Sequence, residues 1–94
     1  MQALAVEIED GKFRYTQIER SGKLAIYRQT LKASDVSRFE VIRIHDQKAH
    51  IWPGGIATPD KEAYPSSRAW GQQGWTFFSL ETARKKLQDL QEKL

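Results

Sequence analysis

Ninety-four residues, 39% apolar and 29% charged, suit one modest globular core and exclude a disordered tail. The absence of cysteine excludes disulfide frameworks and thiolate metal sites. A net charge of +3 gives only a mild bias toward polyanions, and it is uneven: residues 1–10 carry −3 and residues 11–48 carry +5.

Without staples the fold depends on packing, for which three Trp, three Tyr and four Phe supply large side chains. No stretch approaches the ~18 apolar residues of a membrane span. Met1-Gln2-Ala3-Leu4 lacks the basic start and apolar run of a signal peptide. A single cytoplasmic domain covering 1–94, with no membrane partner, is expected.

Leu4, Val6 and Ile8 alternate with Ala5, Glu7 and Glu9, the period of a half-buried strand. Asp10-Gly11 then has the chemistry of a tight hairpin turn. Counting outward from that dipeptide opposes Glu9 to Lys12, Ile8 to Phe13, Glu7 to Arg14 and Val6 to Tyr15. Ser21-Gly22 reads as a second turn, opposing Glu19 to Leu24, Gln17 to Ile26 and Tyr15 to Arg28. One face of this meander collects Leu4, Val6, Ile8, Phe13, Tyr15, Leu24 and Ile26 as the expected core side. The other collects Arg14, Thr16, Ile18, Arg20, Lys23, Ala25, Tyr27 and Gln29.

Residues 31–37 read as a connection turning at Ser34-Asp35. Residues 38–46 (RFEVIRIHD) read as a fourth strand, with Ile42 and Ile44 on one face and Phe39 and Val41 on the other. In a central position such a strand is covered on both sides. Residues 47–73 break the pattern with Pro53-Gly54-Gly55, Thr58-Pro59 and Tyr64-Pro65, and form a long aromatic loop with at most a short strand at Ile51-Trp52. Residues 74–78 (GWTFF) read as a fifth, short strand. Ser79 is placed to cap a helix whose stripe is Leu80, Ala83, Leu87, Leu90 and Leu94, with Glu81 in its first turn. The expectation is an α+β fold: an antiparallel β-meander sheet of four or five strands with the C-terminal helix packed on one face.

Tyr64-Pro65-Ser66-Ser67, Trp70-Gly71, Gly74-Trp75-Thr76-Phe77 and Leu80-Glu81-Thr82-Ala83-Arg84-Lys85 follow a strand of the type Phe39–Ile44. This C-terminal half resembles a group of small bacterial and phage proteins to which no activity is attached. The resemblance implies a shared fold and no chemistry. Independently of it, Gly71 and Gly74 bracket Gln72-Gln73 in a tight turn that brings Trp70 and Trp75 against the core.

No motif for catalysis or cofactor binding emerges. His45 and His50 fall on opposite faces of an extended strand and match no metal-ligand spacing, so no metal is expected. Ser66 and Ser67 sit in a proline turn without the surroundings of a nucleophile. Trp52-Pro53-Gly54-Gly55 lacks the lysine of a phosphate loop. The expectation is a non-enzymatic binding or adaptor domain without cofactor, whose partner is another protein or a second copy met through Ile18, Tyr27 and Leu31. The alternative is weak, sequence-nonspecific single-strand nucleic-acid binding by Arg14, Arg20, Lys23, Tyr27, Arg28 and Arg43, with cations on phosphates and the tyrosine under a base.

Overall fold

In chain order the strands are β1 (Glu7–Asp10), β2 (Phe13–Ser21), β3 (Leu24–Leu31), β4 (Ser37–Arg43), β5 (His45–Gln47), β6 (His50–Ile51), β7 (Ala57–Thr58), β8 (Lys61–Ala63) and β9 (Gly74–Phe77). A 3-10 turn at Ser67–Ala69 precedes β9, and helix α1 (Leu80–Glu92) follows it. These elements come from a computed structural model that describes residues 2–34, 36–55 and 57–93. Asp35 of the expected connection and Leu94 of the expected helix stripe lie outside the described residues. The principal sheet is antiparallel with order β1-β2-β3-β4-β9, so the α+β meander expected from the sequence is the fold.

Both hairpins turn one residue later than the dipeptides suggest. Asp10 pairs with Phe13, so the loop is Gly11-Lys12; Ser21 pairs with Leu24, so the loop is Gly22-Lys23. Gly11 and Gly22 have φ of 58° and 60°, and among the described residues no non-glycine has positive φ. A glycine with positive φ in the first loop position is the pattern of a type II′ hairpin, which explains the offset. The resulting pairs are Ile8 with Tyr15 and Glu9 with Arg14, in place of Ile8 with Phe13 and Glu7 with Arg14.

A larger correction comes from inside β2. Glu19 pairs with Ile26 and Gln17 with Tyr27, leaving Ile18 as the extra residue of a β-bulge. One inserted residue exchanges the faces of everything beyond it. Ile8, Phe13 and Tyr15 therefore do not share a face with Leu24 and Ile26. They lie with Ala25 and Tyr27 on the opposite side.

The two sides bury separate cores. Leu24, Ile26 and Val41 pack with Ala83, Leu87 and Leu90 of α1, supported by Ile18, Phe39, Trp75 and Phe77. On the helix-free side Ala25, Tyr27, Ile42 and Ile44 pack with Leu4, Ile8, Tyr15, Tyr64 and Trp70. Val6, expected in the core, is 57% exposed. The double-sided reading of β4 holds, because that strand lies between β3 and β9.

Helix α1 forms where its stripe requires it. Ser79 has extended φ and ψ, and its hydroxyl accepts from the Thr82 N–H, while Glu81 meets the positive end of the helix dipole. Arg84 reaches back to Glu19 on β2 at 2.6 Å, and Lys86 stands 4.4 Å above the Trp75 ring. Among the described residues no helix is long and apolar enough to cross a membrane.

The stretch 47–73 holds more structure than a loop. β8 returns to β5, β7 returns to β6, and the fourth strand expected over 38–46 is divided at Ile44 into β4 and β5. His45 and His50 thus belong to different strand pairs, and among the described residues no three metal-ligating side chains converge.

Candidate functional site

Two buried carboxylates lie on the helix-free side, and the fold treats them differently. Glu62 on β8 has a side chain 7% exposed. Arg20 grips it in a fork, with Nη1 at 2.7 Å from Oε1 and Nη2 at 2.6 Å from Oε2. The ammonium of Lys23 and the Leu4 N–H also donate to it. The hydrogen bond from Arg20, followed by those from Lys23 and Leu4, holds the Glu62 carboxyl far below the usual carboxylate range. Lys23 also binds Asp46 at 2.7 Å, so one cation cluster ties the β2–β3 turn to β5, β8 and the N-terminal segment.

Glu40, at the centre of β4, is 6% exposed and among the described residues receives only hydroxyls. The Tyr64 hydroxyl donates to Oε1 at 2.6 Å, and the Thr76 hydroxyl donates to Oε2 at 3.4 Å. Thr76 in turn accepts from the Trp70 indole N–H at 2.9 Å. Among the described residues no cation forms an ion pair with Glu40. Burial pushes its pKa up, against the lowering effect of the Tyr64 and Thr76 bonds and of the charge of Arg38, two residues away on β4. Burial likewise drives the Tyr64 hydroxyl far above the ordinary phenol range, with the Glu40 charge adding to it.

Glu40, Tyr64 and Trp70 line an open cleft of about 570 Å³ together with Tyr15, with Asp10 and Glu40 as its charges and Ile8 on its β1 side. The rings form a row: Tyr15 and Tyr64 are 5.5 Å apart at 53°, and Tyr64 and Trp70 are 6.4 Å apart at 19°. Tyr27 supports the row from beneath, edge-on to Tyr64 at 5.3 Å. Burial raises the Tyr15 pKa, and the charges of Glu40 and Asp10 raise it further against the Gln29 bond, which marks the cleft as electronegative. Among the described residues that line it there is no Lys, Arg or His.

The backbone explains how the rings come together. Gly71 has φ 89°, and its N–H donates to the Gly74 carbonyl at 2.7 Å, closing the turn between Trp70 and β9. A Cβ at Gly74 would stand 2.4 Å from Cζ3 of Trp70, so the ring lies directly on the glycine. The expected glycine turn is present, and it sends Trp70 and Trp75 to opposite faces of the sheet.

The surface anticipated from the sequence is not formed. Tyr27, expected as an exposed stacking ring, is fully buried; its hydroxyl donates to the Ala5 carbonyl at 2.6 Å and accepts from Gln17. Ile18, expected at a partner interface, packs on the helix-side core, and Leu31 is half-buried opposite Phe13. Arg20 and Lys23 are engaged by Glu62 on the helix-free side. Arg14 pairs with Glu9 at 3.3 Å, and Arg28 lies over the Phe39 ring at 5.7 Å. Arg43, at the end of β4, has its Nε buried without a hydrogen-bond partner among the described residues. The bulge separates Arg14 from Arg20, Lys23 and Tyr27, and on the face of those three Leu4, Tyr64 and Trp70 cover the ring while Glu62 engages both cations.

Sequence reasoning missed Glu40, Asp10, Tyr15, Tyr64 and Trp70 as a group. One signal was present: Glu40 interrupts the apolar run Phe39–Ile44, and alternation places it on the Ile42 and Ile44 face. The chain matches no family model, no curated protein and no solved structure.

Proposed function

We propose that this chain is a non-enzymatic binding module that holds a protein partner against the helix-free face of its sheet, with the aromatic cleft as the point of attachment. The observation that carries this is the cleft itself: three aromatic walls and a buried carboxylate, Glu40, held ready by Tyr64 and Thr76. Aromatic side chains that are partly accessible, rigidly supported from below and grouped in a concavity are the usual anchors of recognition. Binding is the reading the cleft supports best, because its aromatic walls are braced by Tyr27 and its buried carboxylate is fixed in place by Tyr64 and Thr76.

A displayed random-peptide library selected on the wild-type domain tests this. Enriched peptides are expected to lose binding to Trp70→Ala and Asp10→Lys while keeping it on Arg28→Glu, a change on the helix side. No enrichment, or peptides that bind all three variants equally, overturns the proposal.

A further inference from the structure

The internal comparison between the two buried carboxylates points further. We infer that the anchor received by the cleft is an alkylammonium group, a lysine side chain or its methylated form, seated against Tyr15, Tyr64 and Trp70 and neutralising Glu40 and Asp10. This rests on the binding-module proposal and names the chemistry of its ligand.

Charge complementarity is the first argument. A chain with net charge +3 encloses two carboxylates and no cation in the described lining of this one cleft. It spends two cations on its other buried carboxylate, Glu62. An unpaired charge is costly to bury, and an incoming cation removes that cost. Aromatic faces add to this, since a cation over a Tyr or Trp ring is attracted by its quadrupole.

Geometry then separates ammonium from guanidinium. Arg20 takes Glu62 through two parallel N–H bonds, one to each oxygen. Glu40 already receives Tyr64 on Oε1 and Thr76 on Oε2, which narrows that edge to one remaining lone pair on each oxygen. A guanidinium fork would need both remaining lone pairs in one plane beside the two hydroxyls, whereas a compact ammonium, or one wrapped in methyl groups, needs only proximity to the charge and contact with the rings.

The test is a proton–nitrogen NMR titration of the whole domain with capped single amino acids: lysine, trimethyllysine, arginine, and the neutral controls norleucine and citrulline. Lysine and trimethyllysine are expected to shift the Trp70 indole and the amides of β1 and residues 64–70 at millimolar concentration. Arginine should bind about tenfold more weakly than either, and the neutral controls should leave those resonances in place. Tighter binding of trimethyllysine than of lysine assigns the site to methylated chains, and the reverse order to unmodified ones. Glu40→Gln keeps an acceptor for Tyr64 and should weaken lysine about tenfold. The wild-type contrast between charged and neutral probes stands independently of that variant. Equal binding of norleucine, or arginine bound most tightly, overturns the ammonium assignment and leaves the binding surface standing. Cleft resonances that no probe moves overturn both.

Discussion

Gly74→Ala is a sharp probe of how the cleft is built. The glycine lies outside the positive-φ region, so alanine brings no backbone strain. The new methyl would stand 2.4, 2.6 and 2.8 Å from Cζ3, Cε3 and Cη2 of Trp70, against an ordinary contact near 3.4 Å or more. The indole must therefore retreat by roughly 1 Å, a distance over which close-packed side chains lose much of their contact energy. Its Nε1 bond to Thr76 and its stacking on Tyr64 are disturbed together. Overpacking of this kind costs about 1–3 kcal/mol. Each kilocalorie lowers the melting temperature by about 4–8 °C in a domain of this size. Thermal unfolding followed by circular dichroism reads the loss, and the Trp70 indole resonance reads the displacement. Trp70→Phe supplies the counter-test, because phenylalanine has no counterpart of the far carbons that clash. In that background Gly74→Ala should be neutral or mildly stabilising, by up to ~1 kcal/mol. An equal cost in both backgrounds, or no cost in the wild type, would refute the ring-on-glycine account.

Glu62→Gln should flatten the acid limb of stability. A depressed folded pKa contributes stability above the unfolded carboxylate value and loses it as pH falls through and below that range, so urea midpoints should fall less steeply below pH ~4 in the variant. Glu40→Gln has the opposite sign. Its raised folded pKa means the ionised form opposes folding, so the variant should melt higher than wild type at pH ~7, with the difference vanishing below pH ~4. A lower melting point at neutral pH would contradict the unpaired-carboxylate description. Ser79→Ala removes the cap of α1 and should cost about 1 kcal/mol by denaturant titration. Tyr27→Phe removes the hydroxyl that joins Ala5 to Gln17, and should cost about 1 kcal/mol with faster amide exchange in residues 4–8.

The helix was legible from Ser79 to Leu90 because its signals are local: the Ser79 cap, Glu81 and the leucine stripe all act within a few residues. The sheet order followed from alternation and turn spacing. The face assignment did not, because it depends on one extra residue at Ile18 that no turn dipeptide announces. Tyr27 shows the cost of that gap. A regular β2 would put Arg14 on its face; the bulge sends Arg14 to the other side, and Tyr64 and Trp70 cover the ring completely. The cleft was hidden for a second reason. Glu40, Tyr64 and Trp70 meet only after residues 47–73 fold back as β5–β8 and the 3-10 turn, and contacts of that sequence separation leave no periodic trace.

The bulge in β2 also has a genetic meaning. It makes the outward identity of the first hairpin a matter of residue count, not of residue type. Losing a single codon near position 18 would leave every side chain of residues 7–16 in place along the strand and invert which side each one serves, sending Ile8 and Tyr15 toward the helix and Glu9 and Arg14 toward the cleft. A scan of single substitutions would pass over this control, whereas a scan of one-residue deletions would find it as an abrupt loss of the cleft confined to a segment that does not line it.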